Sequence, residues 1–466
     1  MLLPCAKQWS EKIFGSCNLG DRRRTKRLVQ VAEGLARHIG QSMVKSCADE
    51  AEIEGAYRLI RNNKVSSSAI AEGGFQSTAE VVKQYVTVLA LEDSTSLTYR
   101  HDVRHELGSL GSYKHSYSRG MMVHSVLLVD ADTERTLGLI EQQRWCRSVD
   151  EFGKRQQRKT RIYENKESFK WEQSSVALAK RLGGLMPRVI SVCDRESDVY
   201  EYLHYKLTHE QRFVIRACQN RQLAEAEGKL FEYAGSLKGV GEYTLAIPQK
   251  GGRPARQAKM ALSYAEVTLS PPLNKKRDYR CLTMHVVVCE EITTDESEPL
   301  HWLLLTTEPI ASAAQARKIV HYYERRWTIE DYHKVWKSGA TQVEKQRMQS
   351  VDNLERMAVI LGFVAVRLLQ LKESVMDEAQ GKTSPCTELL TEMQWTLLWL
   401  KVENTAVSTS PPSMYWAYYA LAKLGGWYDS KRTGKVGWNA LWDGWYRLGQ
   451  MVEGATIMNS LCAKKM

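Results

Sequence analysis

The chain opens on helical periodicity and then changes period. Apolar positions recur every three or four residues through RRTKRLVQVAEGLARHIG (23–40) and ADEAEIEGAYRLIRN (48–62), the spacing of helices with one apolar face. Asp21 stands ahead of the first of these, placed to cap it, and is followed by Arg22, Arg23, Arg24, Lys26 and Arg27. Cations in a first turn oppose the helix dipole, so this run is either a solvated face or a set of charges kept for a partner.

From residue 85 the texture becomes β. YVTVLALEDSTSL, MMVHSVLLVDAD and RTLGLIEQQRW read as strands, and a helix is expected over 168–182. PRVISVCDRESD reads as an apolar strand ending in carboxylates, DVYEYLHYKL as a helix and RFVIRACQ as a strand. Together they predict a mixed sheet with helices packed on it, an α/β core.

Between about 236 and 308 only strand-like segments follow one another: YTLAIPQ, KMALSYAEVTL, YRCLTMHVVVCEEI and HWLLLTTEP, separated by the basic loop QKGGRPARQAK and by SPPLNKKRD. They predict a β-rich insertion in the α/β domain. A helix over 312–337 comes next, then an apolar helix in NLERMAVILGFVAVRLLQL, a linker at SVMDEAQGKTSP, and a helical, Trp-rich tail with breakers at Pro411–Pro412 and Gly425–Gly426. The expected division is a helical N-terminal domain (1–70), an α/β domain with its insertion (71–370) and a helical C-terminal domain (371–466).

Composition narrows the classes. The chain has 466 residues, 43% hydrophobic and 26% charged, the mix of a globular protein. Lys and Arg number 65 against 54 Asp and Glu, a net charge of +11 that suits a polyanionic partner. Ten cysteines form no C-x-x-C pair, which argues against a structural zinc site, and no apolar run reaches the roughly 20 residues of a membrane span. A cytoplasmic setting without a membrane partner is expected.

Two strands end in acids: Asp93 in LALEDSTSL and Asp194 in VISVCDRESD. Strand ends are where ligand-binding groups of α/β sheets gather, although a lone Asp there is more often a turn former. In HYYERRWTIEDYHKVWKSG, Arg326, Glu330 and Lys337 follow Tyr323 by three, seven and fourteen residues, within about 60° of one another on a regular helix. Three converging carboxylates repel unless a cation joins them. All-oxygen donors suit Mg²⁺, with Mn²⁺ able to substitute, and two such ions can serve in-line phosphoryl transfer.

LEDSTSLTYRH, SRGMMVHSVLL, VCDRESD, IPQKG, HWLLLTTEPI and the Y-x₂-R-x₃-E-x₆-K pattern resemble the DDE transposases of bacterial insertion sequences that carry the Y-R-E-K signature, the group that includes the transposase of the composite kanamycin-resistance transposon. The resemblance runs from LGDRRRTKRL to LGGWYDSKRTGKVGW. It implies an RNase H-like catalytic core interrupted by the β-rich insertion, an end-binding N-terminal domain and a C-terminal dimerisation domain. It implies a cytoplasmic, nucleoid-associated bacterial enzyme that binds double-stranded DNA as a homodimer at transposon inverted ends, cleaves through a hairpin and joins the 3′ ends to target DNA. Carried over residue by residue, Asp93, Asp194 and Glu330 become catalytic ligands of two Mg²⁺ ions, and Tyr323, Arg326 and Lys337 become phosphate-binding residues. Trp302 becomes the aromatic on which a flipped base stacks, Lys334 and Arg216 contact the backbone, and Arg23, Arg24, Arg27 and Arg58 contact the transposon end. Met121–Met122 depart from the pattern, standing where the relative has two aromatics, and the loop from Gly251 to Lys259 is shorter. Two rivals remain: a DNA-binding regulator derived from a transposase, and an RNase H-like nuclease without strand transfer.

Overall fold

The computed structural model describes residues 5–110, 118–147, 161–224, 228–247, 255–292, 299–376, 378–430 and 436–465. The start of the basic loop in the expected insertion (249–254), part of the expected linker (377) and part of the LGGWYDSKRTGKVGW motif (431–435) lie outside them.

Four helices come first: α1 (Ala6–Phe14), α2 (Arg22–Arg37), α3 (Glu50–Ile60) and α4 (Ser67–Val82). Three begin on side-chain caps, Asp21 accepting from the Arg23 amide, Asp49 from that of Glu52 and Ser66 from that of Ala69, which satisfies donors that a helix start leaves without partners. The sheet is built from β1 (Val88–Thr98), β2 (Gly108–Ser109), β3 (Arg119–Asp130), β4 (Thr136–Trp145), β5 (Val189–Cys193), β6 (Arg212–Arg216), β7 (Gly241–Ile247), β8 (Arg256–Leu269), β9 (Leu282–Glu291) and β10 (His301–Thr306), with α5 (Lys170–Leu182), α6 (Tyr200–Thr208) and α7 (Leu230–Gly235) between strands. Its order is β2-β3-β1-β5-β6-β10-β9-β8-β7, with β4 beside β3. β1, β5 and β6 run parallel, and every other pairing is antiparallel. The strands of the expected insertion therefore extend one continuous sheet, joining it where β10 pairs β6.

Two helical layers cover the sheet. Leu89, Leu91, Ile190, Val192, Val214 and Leu304 face one core with the N-terminal helices and the later helices α8 (Ala313–Arg325), α9 (Trp327–Lys334) and α10 (Val351–Met376). The alternate residues Val88, Ala90 and Val189 face Leu178 and Leu182 of α5, while Cys193, Phe213 and Ile215 face Tyr202 and Leu203 of α6. This period-two division is what a sheet buried on both sides requires. Val359, Leu361, Phe363 and Leu368 sit at 5% exposure or less in α10, which packs on α2, α3, α4 and β4 and ties the N-terminal helices to the sheet.

Two expectations change. The helix over 312–337 is three pieces: i→i+3 bonds from Arg326 N to Tyr323 O and from Ile329 N to Arg326 O tighten the backbone between α8 and α9, and a π-turn over Val335–Gly339 closes with Ala340 N on Val335 O. The linker at 374–385 is mostly helical, because α10 runs on to Met376 with Ser374 and Val375 buried, and α11 (Glu378–Thr383) follows. The tail forms α12 (Glu392–Val402), α13 (Met414–Leu424) and α14 (Trp438–Lys465), broken at Pro411–Pro412 and at Gly425–Gly426 as expected. Trp395, Trp427 and Trp442 are buried there, packing helix on helix.

Glu373 pins α10 to the sheet by accepting from both the amide (2.8 Å) and the hydroxyl (2.6 Å) of Thr136. Burial raises its carboxyl to about 7, although the Thr136 bonds pull the other way. An unfolded glutamate ionises near pH 4.3, so ionisation opposes folding, and the associated stability is complete at low pH and lost as pH rises towards 7. Glu373→Gln is therefore expected to change stability little at about pH 4 and to raise it by roughly 1–3 kcal/mol at pH 8, read from denaturant unfolding across that range; a gain independent of pH would contradict this.

Candidate active site

β1 and β5 pair in parallel as far as Glu92 beside Cys193. The next residues, Asp93 and Asp194, therefore lie beside each other, but only Asp194 follows a strand end. Asp93 sits inside β1, which runs on to Thr98 because β3 still pairs it there, so the expected strand end at Asp93 is corrected. Alternation turns Glu92 and Cys193 to the opposite face, where both are fully buried and Glu92 meets His124 (Oε2–Nε2 3.4 Å). Burial drives the Cys193 thiol well above its ordinary pKa, which leaves it unreactive.

Asp194 caps a short turn over Arg195–Ser197, its carboxylate accepting from the Glu196 amide at 2.9 Å. Burial raises its pKa and neighbouring Asp93 adds to the rise, against the pull of the Glu196 amide and Arg326. At Asp93 burial acts in the same direction, but His333 and Arg326 outweigh it and hold the carboxyl below its ordinary value. Its side chain keeps 20% exposure, with His333 Nδ1 3.6 Å from Oδ2.

Glu330 lies on α9 with 32% side-chain exposure and accepts from Arg326 Nη2 at 2.7 Å. The Arg326 guanidinium stands 5.9 Å from the centre of the Tyr323 ring, and its charge also reaches Asp93 and Asp194. All three acids thus share one cationic neighbour. Among the described residues, no three His, Cys, Asp or Glu side chains are close enough to hold a metal ion in this arrangement; Glu330 is turned to Arg326 while the two aspartates meet at the sheet.

The other expected residues divide. Tyr323 is buried at the end of α8 and meets Trp302 edge-to-face at 5.5 Å. Arg216, ending β6, bonds the Tyr323 hydroxyl and donates to the His301 carbonyl at 3.1 Å. Lys337, swung by the π-turn, reaches Thr95 Oγ1 of β1 at 3.4 Å and Glu344 at 3.7 Å. The break at Arg326 leaves Tyr323, Arg326 and Glu330 joined, whereas Lys337 faces β1 beside Asp93. Lys334 points outward and pairs Asp331. Trp302 is 7% exposed in the main core and presents no free face for a base.

The four N-terminal arginines are unequal. Arg23 (90% side-chain exposure) and Arg58 (75%) are open to solvent. Arg24 donates to the Leu19 carbonyl at 2.9 Å, and the Arg27 guanidinium lies over Gly55 of α3, against the space a side chain there would fill. Sequence reasoning missed the buried Asp198, which pairs Arg221 at 2.5 Å and accepts from the Cys218 and Gln219 amides, fixing the turn after Asp194 to the end of β6. Its doubled position in DRESD was the available signal.

The N-terminal helices carry the family evidence: residues 6–65 match the family model for transposase DNA-binding, a stretch that covers α1, α2 and α3. This stretch is similar to the DNA-binding domain of transposases, which supports DNA as a partner. Among the described residues no helix is long and apolar enough to cross a membrane.

The two aspartates predict opposite substitution effects in chelator-treated protein. Asp194, raised in the fold, is strained when ionised, so Asp194→Asn is expected to raise the melting temperature at pH 7. Asp93, lowered in the fold, contributes stability above the unfolded aspartate value of about 3.9 and loses it as pH falls. Asp93→Asn should therefore lower the melting temperature at pH 7. Shifts of one sign in thermal melts of both variants would contradict the asymmetry.

Proposed function

We propose that the chain is a cut-and-paste DNA transposase, and that Asp93, Asp194 and Glu330 form its catalytic centre. The observation that carries the reading is the joint presence of a matched transposase DNA-binding segment and two aspartates on adjacent parallel strands, near a helix bearing Glu330 and Arg326. The strand order β4-β3-β1-β5-β6, an antiparallel trio followed by two parallel additions, supports an RNase H-like core, with β7–β10 as its elaboration. The motifs favour the Y-R-E-K group of insertion-sequence enzymes, which includes the transposase of the composite kanamycin-resistance transposon.

The donor set fits hard divalent ions. It consists of carboxylate oxygens alone, and Asp93 and Asp194 are close enough for each to feel the other's charge. Asp93, Asp194 and Glu330 would hold two Mg²⁺ ions, which when bound would activate water or a 3′-hydroxyl and stabilise the departing oxygen. Arg326, which now gives Glu330 a single bond from Nη2, could offer a phosphate its bidentate fork, freeing that carboxylate to turn to the aspartates. Arg216 and the Tyr323 hydroxyl would orient the strand, and Lys337 would bring a point charge from the β1 side. Arg23 and Arg58, exposed on the matched segment, suit backbone contacts along an inverted end. In this reading a homodimer pairs two ends, cuts each through a hairpin and joins the 3′ ends to target DNA.

A second reading, a transposase-derived regulator that binds ends without cutting, is favoured because, among the described residues, the three acids do not form a group that could hold a metal ion. Incubation of the purified protein with Mg²⁺ and its own element end decides between them. Transposition gives hairpins and joined products, regulation only a shifted band, and an RNase H-like nuclease only nicks.

Asp194→Ala is expected to abolish cleavage while keeping end affinity within roughly an order of magnitude, since phosphate contacts supply most of the affinity; full cleavage on the same gel would remove Asp194 from the centre. Trp302, covered in the DNA-free protein, would have to be uncovered by the bound end to take a flipped base. On that reading Trp302→Ala accumulates nicked strand at the expense of hairpin, because an extrahelical base loses the aromatic partner that offsets its unstacking. Normal hairpin yield would confine Trp302 to the core position it holds here.

A further inference from the structure

His333 sits three residues after Glu330, one helical turn along α9, and is buried between helix and sheet. One ring nitrogen, Nδ1, is 3.6 Å from Asp93 Oδ2, and the other, Nε2, is 3.3 Å from Ser125 Oγ on β3. Ser125 is the register partner of Asp93 across the β1–β3 pairing, so the imidazole bridges two residues that already face each other. The hydroxyl is itself held: Gln142 Nε2 of β4 donates to Ser125 Oγ at 3.2 Å and to the Tyr332 hydroxyl, also at 3.2 Å. A chain of contacts thus runs from β4 through Ser125 and His333 to Asp93 and returns to α9 through Tyr332.

We infer that His333 is a positioning residue: through Nδ1–H it fixes the rotamer of Asp93 and locks the helix carrying Glu330 against the strand carrying Asp93, so that the acids can close on divalent metal. The inference rests on the transposase reading for its metal site. Nδ1 faces the carboxylate and Nε2 the Ser125 hydroxyl, so the ring can donate to Asp93 from the one nitrogen while the other stays on Ser125. A second contact of this kind behind a ligand sets its orientation, and losing one weakens metal affinity by about 10–100-fold. Removal of His333 would leave Asp93 free to rotate and would loosen α9 from β1 at the position where Glu330 must approach.

Mn²⁺ titration of the full chain, followed by the paramagnetic resonance of free Mn²⁺, tests this without relying on cleavage. The expected result is binding by the wild type, affinity weakened about tenfold or more in His333→Ala, and recovery of most of it in His333→Asn, whose amide N–H can stand near the Nδ1 position. Ser125→Ala, which removes only the remote support, should give a smaller loss in the same direction and remains informative if the His333 variants fold poorly. End binding by gel shift should be unchanged in all three. Wild-type affinity in His333→Ala would overturn the inference while leaving the transposase reading intact. Equal losses in the Ala and Asn variants, with lowered melting temperatures, would reduce His333 to a packing role and overturn it. Absence of Mn²⁺ binding by the wild type itself would sink the metal site and the inference together.

Discussion

Carboxylates do not gather at one end of a sheet unless positive charge joins them, and here that charge is Arg326. Its guanidinium bonds Glu330, lies near the Tyr323 ring and reaches both aspartates. Desolvation raises the cost of each ionised acid, so the cluster is tolerable only because a cation is built in between helix and strands. The tightened turn that separates α8 from α9 keeps Arg326 in reach of residues on both helices. In the transposase reading the same group has two possible partners, Glu330 and a DNA phosphate, and substrate arrival would alter the acid cluster simply by competing for it.

The remainder of the fold holds the cluster still. Parallel pairing of β1 with β5 sets the aspartates side by side, and Asp198 with Arg221 anchors the turn behind Asp194 to the end of β6. The long buried helix α10 touches the N-terminal helices on one side and β4 on the other. The segment matched to transposase DNA-binding and the acid cluster are therefore parts of one packed body.

Much of this was legible in the sequence because the signals were local. The apolar run before Asp194 is a strand ending at that acid, Asp21 is the cap of α2, and the breakers at Pro411–Pro412 and Gly425–Gly426 fall between helices. The strand expected to end at Asp93 instead runs on to Thr98, because β3 pairs its polar half. What escaped depended on tertiary contact. A regular-helix projection aligned Lys337 with Glu330, but a π-turn sends it to Thr95, and no periodicity announces one extra residue per turn. Segment 374–385 looks like a linker by composition, yet α10 continues into it because Val375 finds a buried place. The contact of His333 with Asp93 depends on how α9 docks, which sequence spacing does not encode. The resemblance implies a flipped-base role for Trp302, whereas the residue lies in the core of this structure.

The account turns on Asp93, Asp194 and Glu330 meeting at shared divalent ions once the protein holds its DNA end. Substituting Fe²⁺ for Mg²⁺ and adding ascorbate and peroxide makes any bound ion cut the polypeptide nearest to it. The account predicts cleavage of the chain at three separated places, near residues 93, 194 and 330, each suppressed by excess Mg²⁺. Cuts confined to other segments, or at only one of these places, would contradict it.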